Sequence, residues 1–211
     1  STRNGYVMVT DDNGNSIQGL GPDNNNEKYG RFTLSPDKQK MTLHSISENY
    51  TYYNYISNID GSNLIESEIG SWQPNGSLML LDQNGSLYVL EGKQHSKRLL
   101  YEGDATQPQW FPDGNKILFI ENENKIYSID VDGTNLTFIT DIGLTSHYVW
   151  LTCGWEQVSI SPSGDMIVFT SALNPSTHEL IDIEPSVEKR RDITAPLFIT
   201  NSDGTNLTQL T

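Results

Sequence analysis

The chain is poor in cysteine, in basic residues and in long apolar runs. Its single cysteine, Cys153, stands in "WLTCGWEQV", so no disulfide can form within the chain. Apolar neighbours fit a small buried core residue. A catalytic thiol needs a histidine beside it, and only His147 is close in sequence. Lysine and arginine total 13 against 27 aspartates and glutamates, which gives a formal net charge of -14. A chain of that sign repels phosphate backbones, so nucleic acid is not an expected partner. The acid is spread along the chain, as on a solvated surface. No stretch approaches the roughly eighteen consecutive apolar residues of a membrane span, so membrane insertion is not expected. The opening residues, "STRNGYVMVTDDNGN", show no charged segment followed by an apolar one, the pattern of a signal peptide. Hydrophobic residues make up 35% of the chain, a low share that suits a thin sheet-based core.

Motifs for catalysis are just as scarce. There is no Gly-x-Ser-x-Gly elbow, no His-Glu-x-x-His pair and no glycine-rich phosphate loop. His44, His95, His147 and His178 are scattered. The expectation is a chain that is not an enzyme, with no catalytic, metal-binding or cofactor-binding residue to name.

The chain does contain a repeat. "FTLSPDKQKMTLHS" from Phe32, "GSWQPNGSLMLLDQ" from Gly70, "PQWFPDGNKILFIE" from Pro108 and "VSISPSGDMIVFTS" from Val158 share one pattern. An apolar or aromatic residue precedes proline, a small or acidic turn residue follows, and an apolar strand comes next. The prolines are Pro36, Pro74, Pro112 and Pro162, spaced 38, 38 and 50 residues apart. Proline presets φ for the first turn position, and Asp and Gly tolerate the bend after it. A second element follows each time, such as "IYSIDVDGTNLTFIT" from Ile126 and "LFITNSDGTNLTQLT" from Leu197. Asp-Gly between alternating apolar runs signals a hairpin. Each unit therefore holds about four short strands, and stacked units of that period point to the blades of a β-propeller.

These motifs resemble the WD40-like Pro-Asp-Gly repeat of TolB-like β-propellers. The unit from Pro108 to Thr140 matches nearly throughout. In the first two units Lys38 replaces the first-turn glycine and Asn75 the first-turn aspartate. The expected fold is all-β: four-stranded antiparallel blades over 29-67, 70-100, 108-140 and 155-211, with an N-terminal half blade over 6-20. Residues 1-211 are read as a single propeller domain or a segment of one. The resemblance implies six blades, so one and a half are not accounted for. Two explanations compete. The chain is a segment of a longer protein, which is the preferred account, or another chain completes the half blade by edge-strand addition, a route to self-association.

Two segments break the period: "DIGLTSHYVWLTCGWEQ" from Asp141 and "SALNPSTHELIDIEPSVEKRRDITAP" from Ser171. Function concentrates on loops held by a rigid scaffold, so Tyr148 and Trp150 in the first and Lys189, Arg190 and Arg191 in the second are candidate partner contacts. The bland readings are a core-covering loop and a solvated loop with local ion pairs. The string "DVDGTN" from Asp130 resembles the start of a calcium loop, but position twelve is Asp141 rather than glutamate, and its recurrence in register favours turn geometry. Candidate N-glycosylation sequons stand at Asn49, Asn75, Asn84, Asn135 and Asn206. The resemblance implies a periplasmic, extracellular or cell-surface setting. The expected function is a non-catalytic module that binds a protein partner or acts as a scaffold. The alternatives are a structural subunit of an extracellular assembly completed by strand exchange, and the propeller part of a hydrolase or lyase.

Overall fold

The computed structural model describes residues 7-10, 13, 16-20, 27-68, 70-74, 76, 79-91, 96-122, 124-142, 158-171 and 196-210. Among them every regular element is a strand. In chain order these are β1 (Val7–Thr10), β2 (Ser16–Leu20), β3 (Glu27–Leu34), β4 (Lys40–Ser47), β5 (Tyr52–Asn58), β6 (Ile65–Glu66), β7 (Ser71–Trp72), β8 (Met79–Gln83) and β9 (Ser86–Glu91). They continue as β10 (Ser96–Tyr101), β11 (Ala105–Trp110), β12 (Lys116–Glu121), β13 (Lys125–Asp130), β14 (Thr137–Asp141), β15 (Val158–Ile160), β16 (Met166–Thr170), β17 (Leu197–Asn201) and β18 (Thr208–Gln209).

Strand order follows chain order. β1 and β2 form a two-stranded sheet, and β3 to β6, β7 to β10, β11 to β14 and β15 to β18 form four four-stranded meanders. All observed pairings are antiparallel. This is the fold expected from the repeat: four complete blades and an N-terminal half blade.

The turn chemistry accounts for the meander. In the first turn of the third sheet the Gly114 amide donates to the Phe111 carbonyl at 2.9 Å, and Gly114 has a φ of 72°. Asp113 accepts the Asn115 amide at 3.0 Å, which fixes the bend. The fourth sheet repeats the main-chain bond from Gly164 to Ser161 at 2.9 Å. In the first sheet the same bond runs from Lys38 to Ser35 at 2.8 Å, so a lysine sits at a φ of 57°. Between β8 and β9, Asn84 and Gly85 both have positive φ, the two-residue turn whose twist matches the flanking strands.

The chain divides into two compact units, residues 1-81 with 90-96 and residues 82-89 with 97-211. In the first, Met41 and Leu43 form one small core with Tyr55 and Leu64 packed against it, while Ile56 and Leu90 form another with Trp72 and Leu81. The second unit holds the larger core. Leu118, Ile120, Ile126 and Ile139 of the third sheet interleave with Val158, Ile167, Phe169 and Phe198 of the fourth. The near-continuous apolar run of β12 reflects use of both faces. Leu118 and Ile120 enter that core, while Phe119, on the other face, meets the rings of Tyr101 at 4.6 Å and Tyr127 at 6.0 Å.

Candidate functional site

The recurring Asp-Gly turns are built by their own side chains. Asp132 Oδ1 accepts both the Thr134 amide at 2.9 Å and the Thr134 hydroxyl at 2.7 Å. Asp60 does the same for Ser62, and Asp203 for Thr205. The hydroxyl bond and then the amide bond hold all three carboxyls below the usual aspartate range. Asp130 Oδ2 accepts the Asn135 side-chain amide at 2.7 Å, while Lys116 Nζ lies 4.0 Å from Oδ1. Asp132 Oδ1 and Asp130 Oδ2 are therefore bonded within the hairpin itself. Among the described residues, no group of three or more His, Cys, Asp or Glu side chains is placed to hold a metal ion.

A second repeated contact ties the two kinds of turn together. The carbonyls of Gln39, Asn115 and Asp165, beside the first turns, accept the amides of Ile59, Val131 and Ser202 at 2.8, 2.9 and 2.8 Å. In the three sheets where it occurs, one sheet end is thus closed by paired turns.

The opposite end of the fourth sheet is where the repeat breaks. Ser171, 3% exposed, directs its hydroxyl to the Ile142 carbonyl at 2.8 Å, and its amide donates to the Pro196 carbonyl at 3.1 Å. Ile142 is the last described residue before one interrupting segment. Ser171 and Pro196 bracket the other. Val158, which resumes the chain after the first segment, pairs with Phe169, two residues before Ser171, and its carbonyl accepts the Gln109 side-chain amide at 2.7 Å. Both departures from the repeat therefore leave and rejoin the scaffold at one place. Ile142 is held there from behind, its amide donating to Asn124 at 2.8 Å.

Of the expected contact residues, Tyr148, Trp150, Lys189, Arg190 and Arg191 lie outside the described residues, as do Cys153, His95, His147 and His178. His44 is on β4, between Arg31 and Asn54 in cross-strand register. Among the sequons, Asn49, Asn84, Asn135 and Asn206 are exposed in or beside turns, and the Asn135 amide is engaged with Asp130. Asn75 lies outside the described residues. The residues that sequence reasoning missed are Ile142, Ser171 and Gln109, whose partners are far away in the chain and leave no local pattern.

No family model matches the chain, and no curated protein matches it. Solved structures do. A protein from Agrobacterium tumefaciens designated TolB is similar over 98% of this chain and 76% of its own, with 20% identity and a TM-score of 0.54. An oligogalacturonate lyase in complex with manganese is similar over 87% of this chain and 53% of its own, with 11% identity and a TM-score of 0.56. At such identities the likeness carries the fold, not the substrate or the partner. The chain spans about three quarters of the first relative and about half of the second. With its repeated four-stranded antiparallel sheets and this likeness, the chain has the fold of the TolB-like β-propellers.

Proposed function

We propose that the chain is a non-catalytic protein-binding or scaffold module of an exported or cell-surface setting, and that its partner contacts reside on the segments 143-157 and 172-195. One observation carries the reading. The four residues flanking these segments, Ile142, Val158, Ser171 and Pro196, converge on one buried junction of the second unit. Two separate insertions into a regular repeat leave and rejoin the described strands side by side, and loops set on a scaffold are where partner contacts concentrate. The residue types suit a protein partner: Tyr148 and Trp150 on one segment, and the Lys189-Arg190-Arg191 cluster on the other.

The geometry also supplies the test. Because the Ser171 amide already bonds the Pro196 carbonyl, a two-residue turn can replace 172-195 and leave β16 paired with β17. The shortened chain and the intact one are passed over the envelope fraction of the source organism, and retained proteins are quantified. The reading expects retained partners to be lost from the shortened chain while its unfolding midpoint is kept. An identical retention profile for the two chains sinks it. The lyase alternative makes a different demand, a manganese ion bound through two or more of His44, His95, His147 and His178.

A further inference from the structure

The first strand of the first complete sheet, β3, is exposed at positions that are covered in the third and fourth sheets. Phe32 pairs with Leu43 and Leu34 with Met41, so the four side chains share one face. Met41 and Leu43 are buried, yet Phe32 is 52% exposed and Leu34 44%. The other face of this sheet is already used, since Ile56 packs with Leu90, Trp72 and Leu81.

The repeat provides a control inside the chain. Counted back from the turn prolines, Leu34 corresponds to Trp110 and Ile160, and Phe32 to Pro108 and Val158. Trp110, Pro108 and Ile160 are half-buried, and Val158 is 1% exposed. In the fourth sheet the cover is visible. Val158, Ile167 and Phe169 share a core with Leu118 and Ile120, and Ile160 packs against it. Leu118 and Ile120 belong to the hairpin β11–β12, the first half of the third sheet. The β1–β2 sheet, by contrast, has two strands among the described residues, where each complete sheet has four.

We propose that the Phe32–Leu34 face of β3 seats a β-hairpin of this same repeat: two antiparallel strands joined by a Pro-Asp-Gly turn, with alternate apolar side chains turned onto Phe32 and Leu34. A single extended strand would add hydrogen bonds at the β3 edge but would not cover its face. The hairpin does to Phe32 and Leu34 what β11–β12 does to Val158 and Ile160. This inference stands independently of the partner contacts proposed for the two inserts.

The probe is a synthetic peptide of residues 105-121, "ATQPQWFPDGNKILFIE", carrying a fluorophore and titrated with the 211-residue chain. Saturable binding of one peptide per chain is expected. The double variant Phe32→Asp/Leu34→Asp should weaken it by about tenfold or more. A peptide with Leu118→Asp and Ile120→Asp should not bind. Both chain positions are exposed, so the variant is expected to keep its circular dichroism and unfolding midpoint. Absence of saturable binding, or binding that the double variant leaves unchanged, overturns the proposal. So does a homodimer in light scattering that the double variant dissolves, because a second copy would then be the occupant.

Discussion

Lys38 occupies a position that the repeat elsewhere gives to glycine. Its φ of 57° matches those of Gly114 and Gly164, at 72° and 79°. A side chain in the left-handed region costs about 1-2 kcal/mol, because Cβ crowds the following carbonyl. Lys38→Gly removes that cost but loosens the unfolded chain. The expected net gain is roughly 0.5-1 kcal/mol, read as a higher urea midpoint at unchanged slope. A lower midpoint would show that the lysine side chain contributes more than its backbone strain costs. The turn aspartates give a pH signature. Asp37, Asp60, Asp132, Asp165 and Asp203 all lie below the ordinary value of 3.8, chiefly through hydroxyl bonds from Ser35, Ser62, Thr134, Ser163 and Thr205. Just below that value the unfolded chain binds more protons than the folded one, so stability rises with pH. The contribution is complete above the unfolded value and is lost as pH falls through the depressed folded values. The urea midpoint should therefore drop on acidification below about pH 4. Asp132→Asn with Asp203→Asn should flatten that drop, and an unaltered acid limb in the double variant would count against the assignment.

Ser171 bonds both Ile142 and Pro196, described residues that flank the two interrupting segments, and its loss should be felt in stability. Ser171→Ala leaves the Ile142 carbonyl without its 2.8 Å donor in a buried setting. The cost of such an orphaned acceptor is about 1-3 kcal/mol. Chemical denaturation should show that loss, and Ser171→Thr, which keeps the hydroxyl, should recover part of it. A silent alanine variant would mean that the junction is held by main-chain bonds alone. Ser171 also marks where the sequence stops being readable. The hairpins were legible because their chemistry is local: Asp132 and Thr134, or Phe111 and Gly114, lie within a few positions of each other. Proline, aspartate and glycine in a fixed order leave little choice of turn, and the period then yields the meander and the half blade. The serine in "FTSALN" carries no such mark, because Ile142 is 29 positions away and the contact exists only once β16 is in place. The exposure of Phe32 was hidden for a related reason. Its repeat position predicts burial, and only the arrangement of strands shows that nothing among the described residues provides it. The division into two units likewise follows from tertiary packing, which an even repeat does not announce.

The second unit offers a test of how far the blade is an independent unit of stability. Each sheet is a complete local meander, and a repeat protein can in principle lose one unit at a time. The core argues for coupling between the third and fourth sheets. Leu118, Ile120, Ile126 and Ile139 share a single cluster with Val158, Ile167, Phe169 and Phe198, so neither sheet can bury its apolar face without the other. Phe169, 2% exposed and stacked on Phe198 at 5.8 Å, lies at the centre of that contact. Phe169→Ala should cost about 3-5 kcal/mol, through lost transfer energy and the cavity left behind. The distribution of that cost decides the question. If the two sheets form one cooperative unit, hydrogen exchange should accelerate in β12 and β13 as much as in β16 and β17, although Phe169 lies on β16. If each blade opens alone, acceleration should stop at β15–β18 and leave β12 and β13 protected. We expect the first pattern, because opening the fourth sheet alone would expose Leu118 and Ile120, both now almost completely buried, to water.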